Sequence, residues 1–252
     1  MSDHKEIIFG VNPVLEKLRA APKDISEILI SAASHRASLQ LIDREAARVG
    51  LSVVSVAPKI LDRLVGGQRH QGVIARVQGF HYSSFEELSE QISGGTSQER
   101  ILILDGLTDP RNLGALLRTA EAVGIRHVVI PKHRSSEVTP MVVKASSGAA
   151  YHLNIVKATN LRHVIVELKK RGYWIIGLDA NTKNGIYEKT YPAKLVVVLG
   201  SEGKGIRHIN LQECDFVVSI PMLGKVKSLN VAAAGAIFLY ELLRQKQSRI
   251  DR

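Results

Sequence analysis

Apolar positions in the first 78 residues switch repeatedly between helical and strand-like spacing. Val14, Leu15 and Leu18 recur at helical intervals behind Asn12-Pro13, which reads as a helix entry. A strand near residues 27–30, a helix near 37–49, a strand near 52–56, a helix opened by Pro58 and a strand over 73–77 follow. Together they predict a small α/β layer over residues 1–78. Residues 79–98 read as a linker: an acidic helical stretch over 85–92, then Ser93-Gly94-Gly95-Thr96-Ser97-Gln98, rich in small flexible residues. From 99 to 252 short β-branched runs recur at 101–104, 127–130, 173–178, 195–199 and 216–220. Helical stretches near 113–123, 161–171 and 231–244 separate or follow them, which predicts a parallel sheet covered on both faces. The polar residues after Gln245 read as a frayed tail.

Composition narrows the class. A 252-residue chain that is 45% hydrophobic is too apolar to be disordered, and it is long enough for one large or two modest domains. The lone Cys214 excludes an internal disulfide and a Cys-based zinc site, and the nine His are scattered without an H-x-x-x-H pair, so no metal is expected. The opening MSDHKEIIFG lacks the apolar stretch of a signal peptide, and no window approaches a membrane span. A cytoplasmic protein with no membrane association is expected. The charge is unevenly placed: residues 1–98 carry 11 Lys+Arg and 11 Asp+Glu, whereas residues 99–252 carry 23 and 13. The whole excess of +10 therefore lies in the second part, where it suits a polyanion such as nucleic acid.

Three loops follow predicted strands at their carboxyl ends, where open α/β sheets place ligands. The first runs from Asp105 through Asp109-Pro110-Arg111-Asn112 to Gly114 and Arg118. Asp109-Pro110 is a good helix start, while Gly114 and Arg118, four apart, share a face that is open to an approaching group. The second, Gly200-Ser201-Glu202-Gly203-Lys204-Gly205, is neither a dinucleotide fingerprint nor a triphosphate loop. Glu202 stands where a carboxylate can bind a hydroxyl. The third, Ile220-Pro221-Met222-Leu223-Gly224-Lys225-Val226-Lys227-Ser228-Leu229-Asn230, enters an Ala-rich helix that Ser228 or Asn230 can cap. Its apolar pair and two lysines also suit an adenosine pocket with a phosphate-facing rim.

In this order the loops resemble the three motifs of the SpoU, or TrmH-like, RNA 2′-O-ribose methyltransferases of the SPOUT superfamily. The matching runs are N-x-G-x-x-x-R over 112–118, G-S-E-G-x-G over 200–205 and I-P-M-x-G-x-x-x-S-L-N-V over 220–231. The first domain is similar to the L30e-like substrate-binding module of this family through Phe9-Gly10-Val11-Asn12-Pro13-Val14 and His70-Gln71-Gly72-Val73-Ile74-Ala75. The combined layout looks most like the 23S rRNA guanosine 2′-O-methyltransferase group. The resemblance implies an α/β fold with a carboxy-terminal SPOUT-type trefoil knot, S-adenosyl-L-methionine as methyl donor, ribosomal RNA as partner, and a homodimer. It also implies site roles. Gly200, Gly205, Ile220, Met222 and Leu229 would bind the cofactor, and Asn112, Arg118, Glu202, Ser228 and Asn230 would face the reacting ribose.

An arginine is effectively always protonated, so Arg118 is expected to act as a cation on the forming oxyanion or the neighbouring phosphate. Glu202 and Asn230 would orient the ribose, with Glu202 also a candidate proton acceptor. With residues 1–98 balanced in charge, the first domain is expected to recognise RNA through local groups rather than bulk charge, for which Arg36, Arg69, His70 and Gln71 are the candidates. Two rival readings stand beside a 23S rRNA methyltransferase. One is the same chemistry on tRNA or another rRNA nucleotide; the other is a non-enzymatic RNA-binding assembly factor.

Overall fold

The structure is a computed structural model and describes residues 5–34, 36–93, 99–226 and 228–250. Residues 94–98 of the expected linker, and Lys227 of the expected phosphate rim, lie outside the described residues. The chain runs through β1 (Lys5–Phe9), α1 (Val11–Ala20), β2 (Ile25–Ser31), α2 (Ala37–Arg48), β3 (Val53–Val56), α3 (Pro58–Leu64) and β4 (Val73–Gln78). Next come α4 (Phe85–Ser93), β5 (Arg100–Asp105), α5 (Pro110–Ala122), β6 (His127–Pro131), α6 (Pro140–Ala145) and β7 (Asn154–Ala158). The last part holds α7 (Leu161–Lys170), β8 (Trp174–Leu178), β9 (Leu195–Gly200), α8 (His208–Leu211), β10 (Phe216–Val218) and α9 (Val231–Ile250). They divide into two compact units, Met1–His81 with Val138–His152, and Tyr82–Glu137 with Leu153–Arg252.

The first unit carries a mixed sheet in the order β1-β4-β2-β3, with β4 antiparallel to β1 and β2, and β3 parallel to β2. Phe9, Leu29, Leu61, Val65 and Ile74 pack one side of it against α3. Composition ends this domain at residue 78, but the compact unit also takes in α6 and the 3₁₀ turn Ala149–His152. Gly148, at φ 89°, lets that segment approach closely: a Cβ there would stand 2.7 Å from the Glu16 Cβ. His152 Nε2 lies 2.7 Å from Glu16 Oε2, and the nearly buried Lys17 pairs with Asp24 at 2.5 Å while standing over the Tyr151 ring.

In the second unit the strands are all parallel, in the order β10-β8-β9-β5-β6-β7 among the described residues. Ile101, Ile103, Val129, Ile175, Val196 and Val198 point to one face and are covered by Leu161, Val164, Ile165 and Leu168 of α7. Leu88 and Ile92 of α4 are buried in the same cluster, so the acidic stretch read as part of a linker is a core helix of this unit. Its buried positions are spaced four apart, a helical face that a count of its acids hides. α5 and α9 pack together on the opposite side, where Gly235 brings α9 onto Leu116 and Leu199. α9 does not fray at Gln245. That side chain donates to the Lys189 carbonyl and accepts from the Tyr191 N–H, and the helix runs on to Ile250.

Candidate active site

Chain order reverses direction across the sheet between β9 and β5, and the crevice outside the carboxyl ends of the strands at such a reversal is where α/β sheets hold ligands. A cleft of about 470 Å³ opens there, lined from β8 by Leu178 and Asp179, from β9 by Gly200 to Gly205, and from the loop before α9 by Ile220, Met222, Ser228, Leu229 and Asn230. The glycines of the second loop serve a tight reversal: Ser201 and Gly205 exchange backbone hydrogen bonds at 3.1 and 2.9 Å, with Gly203 at φ 81° and Gly205 at φ 66°. Gly200 lies directly beneath this turn, where a Cβ would collide with the Gly205 carbonyl carbon and the Ile206 nitrogen. The turn leaves Glu202 exposed at its tip.

Three residues from the three loops meet. Asn230 Nδ2 donates to Asn112 Oδ1 at 2.9 Å and to Glu202 Oε1 at 2.5 Å, and the Val231 N–H also reaches Glu202 Oε1, at 3.4 Å. Asn230 Oδ1 meanwhile accepts the N–H groups of Ala232 and Ala233, so of the two cap candidates it is Asn230 that caps α9. Asp109 caps α5 by accepting the Arg111 N–H at 2.8 Å, which places Asn112 on the first turn. All five expected cofactor residues, Gly200, Gly205, Ile220, Met222 and Leu229, line the cleft, as do Glu202, Ser228 and Asn230. Arg118 is exposed on α5 and does not line it. Gly114 is buried, so the face shared with Arg118 is covered at its glycine end.

The sequence reading missed the wall after β8. Asp179 lines the cleft, its Oδ1 accepting the Asn181 N–H at 2.7 Å, and its Oδ2 would lie 3.3 Å from a Cβ on Gly205. Its signal was present, since an acid ending a buried strand stands where the other loops were sought. Among the described residues no group of three or more His, Cys, Asp or Glu could hold a metal ion.

In the first unit a polar hollow of about 350 Å³ gathers Arg36, Asp62, Arg69, His70 and Gln71. His70 Nδ1 accepts the Gly72 N–H at 3.1 Å, which leaves the proton on Nε2, 3.0 Å from Asp62 Oδ1. Gln71, a non-glycine residue at φ 59°, turns inward: its Oε1 accepts the Val11 N–H at 3.2 Å and Lys144 Nζ at 3.1 Å. Burial, with Arg69 nearby, lowers the Lys144 ammonium below its usual range. Arg36 and Arg69 remain exposed at the rim.

The fold and the cleft define an α/β enzyme that takes a nucleoside-sized ligand at a topological switch point and gathers an amide–amide–carboxylate cluster at its edge. Residues 99–240 match the SpoU rRNA Methylase family, and residues 7–83 match the family described as RNA 2′-O ribose methyltransferase substrate binding. The chain belongs to the SpoU rRNA methylase family. It is 37% identical, over 98% of either chain, to YacO of Bacillus subtilis, assigned by name to the TrmH family of tRNA/rRNA methyltransferases. It is 38% identical to the 23S rRNA (guanosine-2′-O-)-methyltransferase RlmB of Xanthomonas campestris, over 98% of this chain and 99% of that one. Its fold is that of the SpoU methyltransferase AviRb of Streptomyces viridochromogenes, with a TM-score of 0.78 at 23% identity over 97% of this chain and 91% of that one.

Proposed function

We propose that this chain transfers a methyl group from S-adenosyl-L-methionine to the ribose 2′-hydroxyl of a guanosine in 23S rRNA. The observation that carries the reading is the junction of Asn112, Asn230 and Glu202 at the edge of the cleft. A volume of about 470 Å³, with Ile220, Met222 and Leu229 supplying apolar walls, fits an adenosine-bearing ligand. When bound, S-adenosyl-L-methionine supplies an electrophilic methyl group on its sulfonium. Gly200, Gly205, Ile220, Met222 and Leu229 hold that ligand.

The residues around it orient the other reactant. As the new C–O bond forms and the C–S bond breaks, the hydroxyl proton must leave, and the product is S-adenosylhomocysteine. Asn112, Ser228 and Asn230 fix the ribose, Glu202 receives the proton, and Arg118, a permanent cation, offsets the charge developing on the oxygen or grips the adjacent phosphate. The first unit selects the RNA through Arg36, Arg69, His70 and the amide nitrogen of Gln71 around its hollow. Residues 1–78 serve substrate binding and 99–252 catalysis, with α4 of the expected linker 79–98 packed into the second unit and residues 138–152 into the first.

The enzyme acts in the cytoplasm as a homodimer. Support for the dimer is the exposed apolar rim of Met222, Leu223, Val226 and Leu229 beside the cleft. A trefoil knot in the second unit is supported by the ties of α9 to residues 186–191, where Tyr191 packs its ring on Phe238 and donates its N–H to Gln245 Oε1.

The name of RlmB supports the 23S address, and that of YacO, a tRNA/rRNA methyltransferase, keeps tRNA as a second reading of the same chemistry. Labelled methyl transfer to unmodified 23S rRNA, 16S rRNA and bulk tRNA, followed by nucleoside analysis, tests both. Label in 2′-O-methylguanosine from 23S rRNA alone is expected; label only in tRNA overturns the address, and label in no RNA overturns the reaction. A comparison of Arg118→Lys with Arg118→Ala tests the cation: partial turnover in Lys is expected, and full turnover in Ala removes Arg118 from the mechanism.

A further inference from the structure

We propose that Arg207 and Arg134 are a pair of phosphate anchors that hold the RNA backbone across the carboxyl ends of β9, β5 and β6. The proposal rests on the RNA methylation argued above. It adds a binding surface on the second unit, apart from the cleft and from the hollow of the first unit.

The two arginines flank one dipeptide. Asp105 ends β5 with its side chain fully buried, and it accepts the Arg207 N–H at 2.9 Å, Arg207 Nε at 2.6 Å and Asn210 Nδ2 at 2.8 Å. The guanidinium so held is half exposed, and its Nη1 and Nη2 make no hydrogen bond among the described residues. A long side chain fixed at its Nε loses little further freedom on binding, and an outward guanidinium fork matches two oxygens of a phosphate. On the other side, the main chain of Arg134 lies against Gly106, whose Cβ would stand 3.7 Å from the Arg134 carbonyl oxygen.

Arg134 has φ 56°, a left-handed conformation that strains a non-glycine residue. Its loop is fastened there by two hydrogen bonds to the Leu107 carbonyl, from the Ser136 N–H at 2.6 Å and Ser135 Oγ at 3.1 Å. Glycine would hold this backbone without strain, so the exposed guanidinium is what the position adds. Lys132 and His133 beside it and Arg111 on the first turn of α5 are exposed too, and none of Arg111, Lys132 and Arg134 has a carboxylate within 4.0 Å among the described residues.

β9 and β6 lie on either side of β5, so two strand spacings, about 10 Å, separate the strands that carry the anchors. The cleft opens from the same strand ends, Gly200 being paired with Asp105 in the β5–β9 register. A ribose presented there brings its own phosphates along this edge. Polyanion recognition is favoured over an acidic protein surface because Arg207, Arg134, Lys132 and Arg111 are exposed cations at these strand ends and a guanidinium fork matches two phosphate oxygens.

The test measures binding of an in vitro transcript of 23S rRNA to the full chain at several KCl concentrations, for the wild type, Arg134→Gly, Arg207→Ala and the double variant. Each single variant should bind roughly tenfold more weakly, and the slope of log Kd against log salt should fall by about 0.7–0.9 per anchor removed. Arg134→Gly should melt no lower than the wild type, because it relieves the φ 56° backbone, and should keep its affinity for S-adenosyl-L-methionine. This variant decides the matter even if Arg207→Ala fails to fold once Asp105 loses its partner. A wild-type Kd and salt slope in Arg134→Gly would overturn the proposal, as would weaker binding with an unchanged slope. Binding is read apart from turnover, so an inactive wild type would sink the methyl-transfer reading while the Kd comparison still judged the anchors.

Discussion

Asn230 Nδ2 reaches Asn112 Oδ1 at 2.9 Å across 118 positions of sequence, and the same nitrogen holds Glu202. One side chain thus fastens the starts of α5 and α9 to the tip of the glycine turn, while its oxygen caps α9. The two ends of the carboxamide can be separated by mutation. Asn230→Ala removes both and should cost about 1 kcal/mol in stability from the lost cap, together with at least a tenfold fall in turnover. Asn230→Asp keeps the acceptors for Ala232 and Ala233 but places a carboxylate where a donor faced Glu202. It should melt closer to wild type than the alanine variant and turn over no faster. Full turnover in the aspartate variant would reduce Asn230 to a helix cap.

The glycines of the site loops should rank by what surrounds them. At Gly200 a Cβ would strike main-chain atoms of Gly205 and Ile206, which cannot move without undoing the turn, so Gly200→Ala should cost about 3 kcal/mol or more and abolish donor binding. Gly203 has open space but φ 81°, so alanine there should cost only the left-handed strain of about 1–2 kcal/mol. Gly224 has open space and no positive φ, and Gly224→Ala should leave stability unchanged within about 0.5 kcal/mol. Urea unfolding of the three variants checks the order, and a Gly200→Ala protein as stable as Gly224→Ala would contradict it.

The position of Gln71 predicts a stability effect for a residue that sequence places on the RNA. Gln71→Ala leaves the Val11 N–H and the half-buried Lys144 ammonium without their shared acceptor, a loss of about 1–3 kcal/mol. Lys144→Met removes the stranded cation, so the double variant should lose less than the sum of the single ones. Unfolding free energies from a double-mutant cycle measure this coupling. Additive losses, or a Gln71→Ala protein of wild-type stability with weakened RNA binding, would leave RNA contact as the sole role of Gln71.

What could be read from sequence followed from how local each signal was. The buried parallel strands and the long helices announced themselves through unbroken apolar runs and helical spacing, and three strand-end loops located most of the cleft wall. β7 was missed because Asn154 and Lys157 interrupt its apolar run, and they are tolerated since Lys157 pairs with Glu137 at 2.6 Å and Asn154 donates to Gln91 at 2.7 Å. The return of residues 138–152 to the first unit left no mark in composition, because a discontinuous contact is a property of the fold. For the same reason Asp105 read only as the first residue of a loop. Its burial and its hold on Arg207 depend on a partner 102 positions away.

His127 sets an acid limit on stability. Its ring is almost wholly buried at the start of β6, with Nδ1 3.3 Å from Asn154 Nδ2 and Nε2 3.4 Å from Glu99 Oε1. Burial is the larger influence and lowers its pKa below the ordinary 6.5, while the Glu99 carboxylate opposes the shift. A folded state that binds its proton less readily than the unfolded chain keeps the full benefit above pH 6.5 and loses it as the pH falls below that value. Urea midpoints should therefore drop between pH 6.5 and 5, and His127→Gln, which cannot take up a proton, should show a shallower drop over the same interval. The glutamine oxygen can still accept from Asn154, so the two proteins should differ less at pH 7.5 than in the slope of their acid limbs. Parallel limbs in the two proteins would show that His127 titrates alike in the folded and unfolded states, with its burial exerting no net pull on the proton.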